Sequence, residues 1–388
     1  MSFLDAAVNL DNTIFSQAEL NLAREYLVDL IYRIDPYWLR KPVGYFSNYW
    51  LSDEPESVCR VIDFAFTLNR LEMSGLQAGS KAVFIKKVKA LLRHIYKKEA
   101  FEEALTELEV GAILAQRAQP LLLEPYIIEP KADKAKPFIP ASRARLVDLA
   151  LLSPQGEALF IDVTVFRSES INLWTRAARN LAKLLFLTLA SEELCRHIRV
   201  ELPFPAPLEL TGPEQDSPTV RAFLNAIVRQ KQGSTGLPVA SENQEISLEW
   251  QEHKFENSDQ SDDRPTLSFT FPQGSLICYV KSDCFADFLE KTLKSIRNSL
   301  KVKREQFQLD SPLVLVIKIG NNLLTEKLLL KLIERRLWSN SRFNWLSGIV
   351  LFKPRSGFQL TDSAPALLLS SNPNARFPAN RELLAYFY

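Results

Sequence analysis

Two aspartates, Asp148 and Asp162, stand in the stretch LVDLALLSPQGEALFIDVTVF, residues 146–166, where most neighbours are aliphatic or aromatic. Carboxylates brought together in an apolar setting repel unless a proton is shared or a cation intervenes. A hard divalent ion is the natural partner of oxygen-only ligands, and Mg2+ or Mn2+ suits such a pair better than zinc. Whether the two acids meet depends on the turn between them. SPQGE offers Pro154, Gln155 and Gly156 as a three-residue hairpin loop, a type I turn followed by a glycine in the left-handed region. With that loop the register sets Asp148 opposite Asp162 on one face, with side chains about 5 Å apart. A two-residue loop closed between Ser153 and Gly156 would put them on opposite faces. Without a metal, one aspartate would sit at a wet strand end or pair with Arg143, Arg145 or Arg167.

The elements needed to position this pair are legible around it. Phe160, Asp162, Thr164 and Phe166 share one strand face, and Leu159, Ile161, Val163 and Val165 form a wholly apolar other face, which predicts a central strand. Upstream, FEEALTELEVGAILAQRAQ reads as a helix decorated by Glu102, Glu103, Glu107 and Glu109 and stopped by Pro120, with LLLEPYII as a first strand. Downstream, ESINLWTRAARNLAKLLFLTLASEELCRHI is a long amphipathic helix. Residues 1–98 are predicted to be a helical region, 99–201 an α/β core, 202–272 an irregular insertion with flexible segments and one short helix at TVRAFLNAIVRQ, and 273–388 an α/β part completing the sheet. Within the first region, Lys86, Lys89, Arg93 and Lys97 recur at steps of three and four as a basic stripe. PYWLRKPVGYFSNYW mixes aromatics with Arg40 and Lys41. Such a segment either stacks on unpaired bases or packs a loop onto the helices.

A glutamate-bearing helix with Glu107 in ELEVGAILAQRAQ, a strand, Asp148 in RLVDLAL hairpinned to Asp162 in FIDVTVF, and a following helix together resemble the core of the PD-(D/E)xK nuclease superfamily. The resemblance covers about residues 100–200 and extends to KSIRNSLKVKREQFQLDSPLVLVIKI. It implies a restriction-endonuclease-like core, a mixed β-sheet flanked by helices, and metal-dependent cleavage of phosphodiester bonds in nucleic acid, DNA first. Asp148 and Asp162 would hold Mg2+ or Mn2+, the Val163 carbonyl would complete the ligand edge, and Glu107 would engage water on that ion or a second ion. Thr164 departs from the pattern, standing where the family usually has lysine. A threonine hydroxyl can hydrogen-bond water but brings no charge. Lys183, Arg179 or Arg176 of the following helix are the candidates to supply the cation. Failing that, the chain would be a catalytically inactive nuclease-fold protein acting as a DNA-binding or protein-assembly module. An unrelated α/β interaction protein with two structural aspartates is the third reading.

Bulk properties narrow the setting without choosing among these. Of 388 residues, 47 are Lys or Arg and 46 are Asp or Glu, so attraction to nucleic acid has to come from local basic patches. The four cysteines form no CxxC pair, which argues against a zinc knuckle or disulfide framework and fits a reducing, cytoplasmic setting. No apolar run approaches the ~18 residues of a membrane span. Protein partners or a homodimer stay open, and neither a Gly-rich phosphate loop nor a nucleophile elbow is present.

Overall fold

The computed structural model describes residues 17–52, 55–76, 78–117, 121–125, 147–166, 168–207, 210, 218–238, 245–253, 264–272, 274–306, 311–319, 326–353 and 366–388. In chain order the first elements are helices α1 (Gln17–Ile34), α2 (Pro36–Arg40), α3 (Phe46–Trp50), α4 (Pro55–Met73), α5 (Ala78–Arg93) and α6 (Lys98–Arg117). Strands β1 (Leu121–Leu123), β2 (Leu149–Leu152) and β3 (Ala158–Val165) follow. Next come α7 (Glu169–Ser191), β4 (Arg196–Leu202), α8 (Pro218–Arg229), β5 (Gly233–Pro238), β6 (Glu245–Gln251), β7 (Thr266–Phe271), β8 (Gly274–Val280) and α9 (Phe285–Gln306). The chain closes with β9 (Leu313–Lys318), α10 (Glu326–Arg336), β10 (Gly348–Lys353), β11 (Ala366–Ser371) and α11 (Arg381–Leu384). No helix among the described residues is long and apolar enough to cross a membrane.

The chain divides into two compact units, the first made of Met1–Val165, Lys303–Ile319 and Arg336–Tyr388. Its six-stranded sheet has the order β1-β2-β3-β9-β10-β11. The β1, β2 and β3 strands run antiparallel, β3, β9 and β10 run parallel, and β11 returns antiparallel. Leu159, Ile161 and Val163 of β3 are buried in one core with Val314 and Val316 of β9 and with Leu68, Leu105 and Leu108 of the helices. Each such side chain contributes roughly 1.5–3 kcal/mol by leaving water, so the alternation in FIDVTVF fixes which face of β3 meets the helical layer. All six β9 residues are buried, as expected of a parallel strand inside a sheet.

The second unit comprises Phe166–Val302 and Gly320–Arg335. It carries a five-stranded sheet, β5-β6-β4-β8-β7, in which only the β4–β8 pair is parallel. The fold class is therefore α/β with two mixed sheets flanked by helices and a helical N-terminal region. Two boundaries differ from the sequence reading. Residues 202–272, expected as an irregular insertion with one short helix at TVRAFLNAIVRQ, supply that helix as α8 and in addition strands β5, β6 and β7, although 211–217, 239–244 and 254–263 lie outside the described residues. The predicted regions 1–98 and 99–201 do not stand apart either, because the amino-terminal helices and β1–β3 share one unit.

Candidate active site

The β2–β3 hairpin turns as its residues dictate. Ser153 N–H donates to the Glu157 carbonyl at 2.8 Å and Gly156 N–H to the Ser153 carbonyl at 3.0 Å, enclosing Pro154, Gln155 and Gly156 as the loop. Gly156 has φ +84°, a conformation that a side chain disfavours. The ladder then runs from Leu152 opposite Ala158 to Leu149 opposite Ile161. One more step sets Asp148 opposite Asp162, just where β2 begins.

Asp148 is the hub of the site. Its Oδ2 accepts a hydrogen bond from Val163 N–H at 2.7 Å, and its own carbonyl accepts from Glu124 N–H at 2.9 Å. Asp162, only 3 % exposed, lies close enough for its carboxyl to feel the charge of Asp148. From the last turns of α9, Lys303 Nζ reaches within 2.6 Å of Asp162 Oδ2. From α6, Glu107 adds a third carboxylate, which feels the charge of Asp148. Lys87 of α5 ion-pairs with Glu107 and, at 2.8 Å, with Glu124. Glu124 follows β1 with φ +44°, a left-handed backbone rare outside glycine, so its side chain is delivered at a conformational cost.

Four carboxylates thus face two ammonium groups, and the excess negative charge has to be relieved. Burial, and then the charge of Asp148, push Glu107 up to about 8 despite Lys87. Burial and the same neighbour push Asp162 up to about 7 despite Lys303. Burial also raises Asp148, against the Val163 amide and Lys303. For Lys303, burial opposes the charged form, but Asp162 and then Asp148 outweigh it and raise its pKa. Lys87 is raised likewise, with Glu107 and Glu124 overcoming burial. Protons held on buried acids near neutral pH mark a site short of positive charge.

A hard divalent ion fits that deficit. The donors are all oxygens and the acids outnumber the cations. Among the described residues, no three acidic, histidine or cysteine side chains converge on one point as a ready cage. The acids are instead turned toward Lys87 and Lys303.

Of the residues singled out in the sequence, Glu107, Asp148, Asp162 and Val163 come together. Val163 takes part through its N–H, whereas the resemblance implied its carbonyl. Thr164 is half-buried and shares the strand face of Asp162 by alternation. Lys183, Arg176 and Arg179 are exposed on α7 in the second unit, and the lysine beside Asp162 is Lys303. Glu109 pairs elsewhere, with Lys318 of β9 at 2.8 Å. Arg143, Arg145 and Arg167 lie outside the described residues. Three members were missed from sequence. Lys87 lies beside the basic stripe but off its spacing, Lys303 sits in a lysine-rich helix end, and Glu124 is the single charge in LLLEPYII, just before Pro125. That lone charge on an apolar strand was the signal available. No protein-family model, curated protein or solved structure matches the chain.

Proposed function

We propose that the chain is a metal-dependent nuclease of the PD-(D/E)xK type, hydrolysing phosphodiester bonds of nucleic acid, with DNA the first class to test. The observation that carries this reading is the pairing of Asp148 and Asp162 at the open end of one hairpin, with Lys303 against Asp162. Lys303 brings the positive charge that Thr164 lacks. The order of Glu107-bearing α6, β1, the acid-bearing β2–β3 hairpin and a β9 parallel to β3 supports a restriction-endonuclease-like core.

In this reading Asp148 and Asp162 hold the cation. The Val163 N–H keeps the Asp148 carboxylate aimed, leaving Oδ1 for the ion. Glu107, poised near neutrality, accepts a hydrogen bond or a proton from the attacking water. Lys303 stays charged and offsets the negative charge that builds on the phosphoryl oxygens. Mg2+ or Mn2+, when bound, lowers the pKa of water and adds Lewis acidity.

The test is incubation of supercoiled and linear DNA with the purified chain in Mg2+, Mn2+ or EDTA, beside Asp162→Ala. Nicking that requires metal and disappears in the variant is the expected result. A chain that binds DNA but never cuts it would overturn the reading in favour of an inactive nuclease-fold module. The lysine-neutralised acids and Thr164 are the observations on that side.

A further inference from the structure

The segment PYWLRKPVGYFSNYW is divided by the fold into a buried and a displayed half. Trp38, Phe46 and Trp50 are buried and packed on one another, with Trp38 5.8 Å from Phe46 and 5.5 Å from Trp50 between ring centroids. The Trp38 indole N–H is shared between the carbonyls of Val43 and Leu92, at 2.9 Å each, which clamps α2 and its following loop onto the end of α5. Tyr45 N–H adds a bond to the Ile95 carbonyl at 2.6 Å. Gly44 permits the approach: φ is +84°, and a β-carbon there would lie 2.5 Å from the Leu92 carbonyl oxygen. The result is a rigid corner with Tyr37, Arg40 and Lys41 on one side and Lys89, Tyr96 and Lys97 on the other.

All six side chains are exposed, Tyr37 at 59 % and Tyr96 at 67 %. Among the described residues, none of the four cations ion-pairs with a carboxylate, whereas neighbouring Arg93 is spent on Asp35 and lies 5.9 Å from the Tyr37 ring centre. Favourable interaction with the α5 helix dipole accounts for a cation in its last turn such as Arg93. It does not account for Arg40, Lys41 or two outward tyrosines held on a preorganised frame.

From this we infer that the α2–α5 corner grips an unpaired nucleic-acid strand, with bases stacked on Tyr37 and Tyr96 and phosphates drawn to Arg40, Lys41, Lys89 and Lys97. Aromatic faces interleaved with cations suit single strands, whose bases are free to stack, better than a duplex, whose bases are already stacked. This extends the nuclease reading by naming what holds the substrate, and it stands on residues separate from the acid site.

Fluorescence anisotropy of the full chain in EDTA tests it, using a labelled oligonucleotide of about 20 nucleotides as single-stranded DNA, single-stranded RNA and DNA duplex. Tyr37→Ala and Tyr96→Ala are expected to weaken strand binding by about 5- to 100-fold, with Tyr37→Phe retaining it. Lys41→Ala with Lys97→Ala should flatten the dependence of log affinity on log salt by about 0.7 for each phosphate that is no longer neutralised. Because these side chains are exposed, the variants should melt with wild type. The DNA and RNA arms tell which sugar is preferred. Duplex bound as tightly as the strand would overturn the inference. So would tyrosine variants that bind normally while the lysine variants do not, which would leave only an electrostatic surface. Binding is read in EDTA, where metal-dependent cleavage is silent, so failure of cleavage and failure of strand binding are separable.

Discussion

Lys303 stands where the account is most exposed to disproof, because it replaces a residue that the sequence pattern lacks. If its ammonium serves the reaction, Lys303→Ala should lower metal-dependent cleavage by about 100-fold or more, the usual loss for one preorganised charge at a reacting centre. Lys303→Arg should keep part of the rate, and Thr164→Lys added to Lys303→Ala should restore some of it from the neighbouring strand. Full activity in Lys303→Ala would remove the assignment. The acids make a second prediction. Glu107 and Asp162 hold folded-state values of about 8 and about 7, above their ordinary carboxylate range. Between roughly pH 4 and pH 8 the native chain therefore binds protons that the unfolded chain has released, and stability present at low pH is lost as pH rises through both values. In EDTA, the melting temperature of wild type should fall relative to Glu107→Gln between about pH 5 and about pH 9; parallel profiles would contradict it. The two aspartates could be found in the sequence because charge on an apolar strand is conspicuous. Lys87 and Lys303 could not, because a lysine that turns inward looks in sequence like any other lysine of a basic helix.

The hairpin was the most legible element, since Pro154 and Gly156 specify the turn and the alternation of FIDVTVF specifies the face. Its register carries the site. Gly156→Ala meets open space but keeps an unfavourable φ, so it should cost about 1 kcal/mol in denaturant unfolding while leaving metal stabilisation intact. Removing the paired acids should be worse in kind: Asp148→Asn with Asp162→Asn keeps the hairpin and its register but takes both charges from the face they share. That variant should show no rise in melting temperature with Mn2+, and a retained rise would argue that the pairing does not make the site. The strands β5 and β7 were hidden for the opposite reason. Both are edges of their sheet, and an edge tolerates the Gly, Ser and Pro of GSTGLP that would break a central strand. The composition of β5 reads as loop, and its pairing with β6 is what orders it, whereas β7, TLSFTF, is strand-like in composition but follows directly on the polar run ENSDQSDDRP.

Across the chain, the pairing of β3 with β9 joins Phe160 to Leu313 over the long stretch Phe166–Val302 of the second unit, and no local pattern announces a partner so distant. Helix and strand types were therefore readable, but the division into two units with two sheets was not. Near-balanced charge likewise concealed a local imbalance, in which buried acids outnumber the lysines facing them. That imbalance is the centre of the account, and calorimetric titration of Mn2+ into the metal-free chain near pH 8 tests it most directly. Saturable binding is expected in wild type with release of protons, seen as heats that change with buffer ionisation enthalpy, and no such binding in Asp162→Ala. Equal heats in wild type and variant, or none in either, would contradict it.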